Sequence, residues 1–361
     1  MKSSRPQEGM NRRGILYAVL SSLLFGASTP LAKALLGGID PWLLAGILYC
    51  GSGVGLSAVM VARRLVGVDA ALPMARADLG WLALATLFGG VLGPVLLMQG
   101  LARTSAAAGS LLLNLEGLAT MGIAWLVFGE NVDRRLLLGA LLILAGSVAV
   151  SWPGALGGVP EVSAGAASCI AGACLAWGID NNLTRKISAG DPLRIAAVKG
   201  AVAGALNLSI AFGQGASLSP PGWVLAAGVT GFAGYGLSLC LFVLSLRHLG
   251  AARTGAYFAT APFVGAILSV PLLHEAVSPS LAVAGALMAA GVWLHLAERH
   301  EHEHTHEPLR HAHRHVHDEH HQHAHHEGDP AGEPHEHEHQ HDPLTHRHPH
   351  YPDLHHRHRH A

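Results

Sequence analysis

Glu116 has the position in this chain that most suggests chemistry. It lies inside the apolar run LLLNLEGLATMG (111–122), with Asn114 two residues before it and no cation within helical reach on the same run. An ionisable group deep in hydrocarbon is costly and is a functional candidate by default. Two readings are open. Glu116 handles a substrate or a proton, or it makes an interhelical hydrogen bond to a partner on another segment. Asp180 and Lys199 form a second case. Each sits about six residues inside the facing ends of two consecutive apolar segments, which at 1.5 Å per residue places both roughly 10 Å below one surface. An ion pair follows, with Asn181 and Asn182 beside it as capping groups, and helix packing is the alternative role for the pair. Lys33, Arg185 and Lys186 lie near segment ends, where a long side chain can snorkel to the interface. Gln99, Arg103, Arg253 and Tyr257 are further pathway residues. The candidate substrate and coupling set is Glu116, Asn114, Lys33, Asp180, Asn181, Lys199 and Tyr257. Glu130 and Glu275 each stand at a junction just before a helix cap (Asp133, Ser278-Pro279), which points to structure and not catalysis.

The C-terminal stretch has different chemistry. Of 27 histidines, 24 follow Arg299, in repeated His-x-His and His-Glu-His. Neutral imidazoles bind zinc, nickel, cobalt and copper. His300, His302, His304 and His306, with His335, His337 and His339, are the weak metal ligands this pattern suggests. Residues 300–304 and 335–339 even satisfy HExxH. That match carries no protease chemistry, because a zincin needs one buried helix face and here every second residue is histidine. A segment so polar cannot bury a core and is expected to be disordered. No cofactor is required, and a divalent metal on the tail is the one ligand implied.

These groups need elements to position them. The 361 residues are half apolar and only 13% charged, with 44 glycines and 19 prolines. Once the tail is set aside, residues 14–297 form apolar runs of twenty or more. That composition does not make a water-soluble surface. It also excludes an extended basic surface for nucleic acid. A bilayer core about 30 Å thick needs around 20 helical residues, and ten segments meet that length: 14–36, 43–62, 79–102, 106–128, 136–152, 163–186, 193–212, 223–246, 254–273 and 280–297. Turn chemistry separates them at Gly37-Gly38-Ile39-Asp40-Pro41, Val132-Asp133-Arg134, Gly190-Asp191-Pro192, Ser219-Pro220-Pro221 and Ser278-Pro279. The cysteines, Cys50, Cys169, Cys174 and Cys240, all fall within the apolar runs and form no CxxC pair. They read as small buried hydrophobes. The basic start, MKSSRPQEGMNRRG, runs into a first segment long enough to span, so this is expected to be retained and not cleaved as a signal peptide.

Lys and Arg placement tests the count. With the N-terminus in the cytoplasm, that side holds Lys2, Arg5, Arg12, Arg13, Arg63, Arg64, Arg76, Arg134, Arg135, Arg185, Lys186, Arg194, Arg247 and Arg253. The other side holds Arg103, with Lys33 near it. Positive charge concentrates on the cytoplasmic face of membrane proteins. Both termini are therefore expected there, in a multi-pass protein of the cell (inner) membrane.

The two halves repeat. Phe25-Gly26 matches Trp177-Gly178, Lys33 matches Arg185, and Asp40-Pro41 matches Asp191-Pro192. Further on, WLVFGENVDRRLLLGALLILAG (125–146) matches VPLLHEAVSPSLAVAGALMAAG (270–291), aligning Glu130 with Glu275 and Gly146 with Gly291. Five spans per repeat is odd, so the second half enters the bilayer from the opposite side. Such inverted repeats place a pathway at a pseudo-twofold axis near the midplane. The expected organisation is a cytoplasmic N-terminus (1–13), two five-helix repeats (14–152 and 163–297) and the histidine-rich tail (298–361). The GxxxG pairs Gly51-Gly55, Gly89-Gly93 and Gly200-Gly204 allow close helix approach. Pro30, Pro94, Pro262 and Pro271 can kink spans and free backbone carbonyls.

On the aromatic-Gly…Lys/Arg pattern opening each half, and the Gly-Glu or His-Glu closing each fourth helix, the chain resembles a tandem EamA-domain transporter of the drug/metabolite transporter superfamily. The resemblance covers 14–297. It implies an all-α fold of ten transmembrane helices, and it places Lys33 beside the cavity. It says little about the substrate. The halves also differ: Ser28 and Thr29 stand where the second half has Asp180 and Asn181, and the second half has no counterpart of Glu116.

The function that follows is secondary transport, the export of a small metabolite or drug-like solute by alternating access, with proton coupling or exchange through Glu116. No Walker motif or nucleotide-binding domain is present. The alternative is divalent-metal efflux, or transport regulated by metal on the tail. It lacks support in the spans, where only His248, His274 and His295 occur, all near helix ends. An intramembrane enzyme has no nucleophile-base or metal constellation to rest on. The expected partners are the lipid bilayer, a small solute, protons or divalent metal ions, and a second copy of the chain.

Overall fold

The computed structural model describes residues 5–67, 76, 78–128, 134–151, 162–187 and 191–296, and the backbone of four tail stretches. The body is a helical bundle. Its elements are α1 (Arg5–Leu35), α2 (Pro41–Leu65), α3 (Asp78–Thr86), a π-helical turn (Leu87–Leu92), α4 (Gly93–Leu101), α5 (Ala106–Leu112), α6 (Leu115–Phe128) and α7 (Arg134–Ser151). The second half has α8 (Ala164–Arg185), α9 (Pro192–Gly213), α10 (Pro221–Gly231), a second π turn (Phe232–Leu237), α11 (Ser238–Phe258), α12 (Ala261–Leu273) and α13 (Pro279–Leu296).

Among the described residues, seven stretches are long and apolar enough to cross a membrane: Arg12–Leu35, Pro41–Leu65, Asp78–Leu101, Ala106–Val127, Arg134–Ser151, Pro192–Gly213 and Pro221–Ser245. The 22-residue α8 and the shorter apolar α12 and α13 join them. Helix starts follow the local chemistry. Asp40 accepts from the amides of Trp42 and Leu43, Asp191 from Leu193, and Ser163 from Ala166, with proline opening α2 and α9. These are N-cap residues filling otherwise orphaned donors.

The breaks within helices also follow from sequence. The fourth segment is interrupted at Leu113 and Asn114, where the Asn114 amide donates to Leu111 O at 2.8 Å, so a short polar side chain competes with the helix for its own carbonyl. The chain reverses direction at the expected gap between 246 and 254. Ser245 Oγ lies 2.9 Å from Thr254 Oγ1 and the Phe242 and Phe258 rings meet at 4.9 Å, contacts that residues nine and sixteen apart on a straight helix cannot make. The helical stretch beyond that reversal ends at Phe258, and a second break follows at Ala259 and Thr260. Pro262, at the start of α12, has no N–H to give Phe258 O, which ends the helix there. The first helix likewise begins at Arg5, inside the stretch expected as an N-terminal extension.

The halves interlock reciprocally. With Gly146 aligned to Gly291, Ala284 corresponds to Gly139 and Met288 to Ile143. A Cβ placed on Gly146 would lie 2.9 Å from Ala284 O and 2.7 Å from Met288. One placed on Gly291 would lie 2.6 Å from Gly139 O and 2.8 Å from Ile143. The same exchange relates Gly178 against Ala119 to Gly26 against Val264, and Gly53 against Ala201 to Gly204 against Cys50. Contacts that map onto themselves when the partners swap are the mark of a twofold axis. The equivalent helices are antiparallel. Along α2 and α9, Gly46 meets Leu208 and Gly53 meets Ala201, while the start of α7 meets the end of α13 where His295 Nε2 lies 2.9 Å from Leu136 O.

In the tail, His300–His306 pairs antiparallel with Leu344–His350, and Leu309–His315 with His335–His341. Composition predicts disorder here, whereas the described backbone is paired. The alternation of histidine with a second residue type has the two-residue period of a strand. The side chains of His300, His302, His304, His306, His335, His337 and His339 lie outside the described residues, as do Glu130 and the Arg185 side chain.

Candidate functional site

The third segment carries the scaffold of the site. In its π turn, Gly93 N–H reaches back five residues to Phe88 O. The next donor in that register would be Pro94, which has none, so the carbonyl of Gly89 is left for other partners. Tyr49 Oη donates to it at 2.7 Å from α2, and Trp177 Nε1 at 2.9 Å from α8. One residue on, Asn207 Nδ2 of α9 donates to Gly90 O at 3.0 Å. A single irregular turn thereby ties three helices together, two of them from the other half. Its counterpart, Phe232–Leu237, has the same geometry, with Ser238 N–H reaching Ala233 O. π turns are uncommon and concentrate at functional places in helices.

Asp180 lies against this turn, in the space a side chain on Gly89 would fill. Lys199 Nζ donates to both of its carboxylate oxygens, at 2.6 and 2.7 Å, and Thr184 Oγ1 donates to Oδ1 at 2.9 Å. Asp180 and Lys199 are 8% and 9% exposed. The ion pair expected from sequence is present, but its third partner is Thr184, not Asn181 or Asn182. Asn182 instead donates to Thr120 O and Gly178 O at 3.1 and 2.8 Å.

Asn181 turns the other way. Its Nδ2 donates to Glu116 Oε1 at 3.0 Å and lies 3.1 Å from Thr120 Oγ1, which itself donates to Glu116 O at 2.9 Å. Glu116 is thus held by a neutral amide from another helix, and among the described residues it has no ion pair. Adjacent positions on α8 therefore serve two sites, a neutralised carboxylate at 180 and an amide on a lone carboxylate at 181. Under the twofold relation, Glu116, Asp180, Asn181 and Lys199 fall opposite Ala261, Ser28, Thr29 and Leu48. All four charged or amide groups are on one side of the axis.

The remaining candidates lie elsewhere. Asn114 is buried at the α5–α6 break, its amide on Leu111 O and 3.8 Å from the sulfur of Met288. Lys33 Nζ donates to Leu101 O at 2.7 Å, at the end of α4. Tyr257 closes the α11–α12 turn through its carbonyl, which accepts from Thr260 Oγ1 at 2.6 Å. An aromatic chain, Tyr49–Tyr235–Phe25–Phe258–Phe242, crosses between the halves with ring centroids 4.9 to 6.0 Å apart. Tyr49, Asn207 and Thr120 carried no recognisable signal in the sequence, because each acts through a backbone or side-chain group far along the chain. Glu275 reads as a junction residue from sequence. Its oxygens in fact accept from Ala106 N and Ala107 N, at 2.6 and 2.8 Å, from the opposite half. Among the described residues, no group of three or more His, Cys, Asp or Glu could hold a metal ion.

Apolar helices long enough to span, two homologous halves locked around a twofold axis, and buried charges within define a multi-pass membrane protein built from a repeat. The chain belongs to the EamA-like transporter family, which it matches over residues 12–152 and 165–297. It is 28% identical over 305 residues to an uncharacterized transporter of Methanothermobacter thermautotrophicus, covering 80% of this chain and 88% of that one. It is also 28% identical over 293 residues to an uncharacterized protein of Pseudomonas aeruginosa, covering 80% and 96%. A crystal structure at 21% identity superposes with a TM-score of 0.58, over 80% of this chain and 98% of the other. At that identity the likeness concerns the fold alone. The protein is a membrane transporter of the drug/metabolite type.

Proposed function

We propose that this protein is a secondary transporter that exports a small metabolite or drug-like solute by alternating access. Ten spans, five in each of two inverted halves, would leave both termini in the cytoplasm of a cell whose inner membrane holds the protein. The observation that carries this reading is the reciprocal, antiparallel packing of equivalent helices. A twofold axis perpendicular to the helices lies in the membrane plane, and inverted halves that exchange environments are the means by which such transporters open to one side and then the other. The paired helix breaks at 113–114 and 259–260 support it, since discontinuous helices at a repeat interface supply free backbone groups to a solute.

Glu116 is the coupling residue in this proposal. A carboxyl held by one neutral amide has no fixed cation to surrender before it takes up a proton, whereas Asp180 is already neutralised by Lys199. Everted membrane vesicles test the coupling. Addition of a transported solute is expected to dissipate an imposed pH gradient, and Glu116→Gln is expected to abolish that dissipation. Solute-driven proton flux that survives in Glu116→Gln would overturn the assignment.

A metal cargo would rest on the tail alone. Weak multidentate binding of zinc, nickel or cobalt by the tail histidines is proposed as an accessory property. Deleting residues 300–361 is then expected to remove metal binding from the purified protein and leave solute flux unchanged. Lost metal tolerance in cells carrying the deletion, with Glu116→Gln tolerant, would favour metal efflux instead. A second copy of the chain as a dimer partner is proposed on the same footing, and the oligomer mass in detergent decides it.

A further inference from the structure

The turn between α4 and α5 (residues 102–105) is gripped from two sides by opposite charges. Lys33 Nζ, from α1, donates to Leu101 O at the last turn of α4. Glu275, just beyond α12, accepts from the first two amides of α5 through its two oxygens. Each charge has the sign that its helix end favours, a cation at a C-terminus and an anion at an N-terminus. His274, in the left-handed conformation at φ 55° and ψ 34°, ends α12 and turns the chain toward that turn. Lys33 and the turn belong to the first half, and Glu275 belongs to the second. Glu275 therefore joins the two halves at one end of the bundle, where α1 and α4 end, α5 begins and α12 ends, and Lys33 fastens α1 to the same turn within the first half.

We propose that Lys33 and Glu275 form a latch that shuts one mouth of the transport pathway, and that their release from the α4–α5 turn is the step that opens it. This rests on the transport reading above. A fastening between halves must break if the halves rock, and this one suits reversible use. Its partners are backbone groups at helix ends, which water can satisfy once the mouth is wet, and its charged side chains are half-buried at that mouth. Release exchanges hydrogen bonds to the protein for hydrogen bonds to water, a nearly balanced trade. A fastening between two deeply buried charges would not reopen so readily. Near the other end of the bundle, α8 runs alongside α5 and α6 in the same direction, with Cys174 beside Leu112 and Asn181 beside Glu116. The Arg185 end of α8 is therefore remote from the latch.

Hydrogen–deuterium exchange on the full chain in lipid nanodiscs tests the proposal without any solute. In Glu275→Gln, peptides covering residues 102–112 are expected to exchange at least tenfold faster. Peptides covering 183–195, at the opposite mouth, are expected to exchange more slowly, because opening one side closes the other. Lys33→Met, which leaves Glu275 in place, is expected to give the same reciprocal pattern, and it serves alone should Glu275→Gln not fold. Faster exchange at 102–112 with no slowing at 183–195 would make Glu275 a local helix cap and overturn the latch, as would no change at either place. Solute flux is measured separately. Reciprocal exchange in a protein that moves no solute would sink the transport reading and keep the latch.

Discussion

Breaking the Asp180–Lys199 pair from one side is expected to be far more damaging than removing it whole. The ammonium sits 2.6 and 2.7 Å from the two carboxylate oxygens, and both residues are under a tenth exposed. The backbone of Gly89 lies against the other side of the carboxylate. Lys199→Met leaves the carboxylate with Thr184 alone. Truncating one member of a buried, hydrogen-bonded pair costs about 3–5 kcal/mol, while replacing both with neutral groups of similar size is often close to neutral. We expect Lys199→Met and Asp180→Asn each to lower the unfolding free energy by about 3 kcal/mol or more. The double variant is expected to lose less than about 2 kcal/mol, because each substitution removes the orphan that the other creates. Reversible unfolding by SDS in mixed micelles measures all three. Losses that add to within about 0.5 kcal/mol would refute the argument, since additivity is what independent sites give. The same variants separate packing from transport, because a pair that only fixes helices α8 and α9 allows the double variant to transport.

Gly146→Ala and Gly291→Ala are expected to destabilise by about 1–3 kcal/mol each by overpacking, and by similar amounts, because the carbonyls they would strike are related by the twofold axis. Micelle unfolding checks this, and a large inequality would count against the reciprocity. Trp177→Phe removes one of two donors to Gly89 O and is expected to cost about 1 kcal/mol. Adding Tyr49→Phe orphans the carbonyl, so the second step is expected to cost more than the first in the same assay. Asp40→Ala deletes a cap that holds two amides and is expected to cost about 1 kcal/mol, with faster amide exchange confined to the first turn of α2.

Much of the architecture is legible in the chain itself. Runs of about twenty apolar residues, interrupted by Asp-Pro and Ser-Pro, have no soluble alternative, because unpaired backbone in hydrocarbon is prohibitive and helices satisfy it locally. The repeat was equally visible, since the aligned glycines, aromatics and Asp-Pro pairs serve the same packing in both halves. The Asp180–Lys199 pair could be placed at a common depth by counting residues on consecutive helices. The reversal between Ser245 and Thr254 is legible in the charge and small residues near 247–253, whereas the second break at 259–260 depends on Pro262, whose missing N–H acts four residues upstream.

What the residues alone determined is which groups are expensive in the membrane and which segments must carry them. Local chemistry (a cap, a proline, a run of leucines) is written in neighbouring positions. Which group meets which was decided by tertiary structure. Asn181 reaches Glu116 while Asp180 beside it turns to Lys199, because successive positions on a helix point about 100° apart and meet different neighbours. Glu275 meets Ala106 and Ala107 across nearly half the chain, Tyr49 and Trp177 converge on the Gly89 carbonyl that Pro94 leaves free, and Asn207 donates to Gly90 beside it. Such contacts depend on how close two helices can come, and that distance is set at a few glycines whose partners lie in the other half.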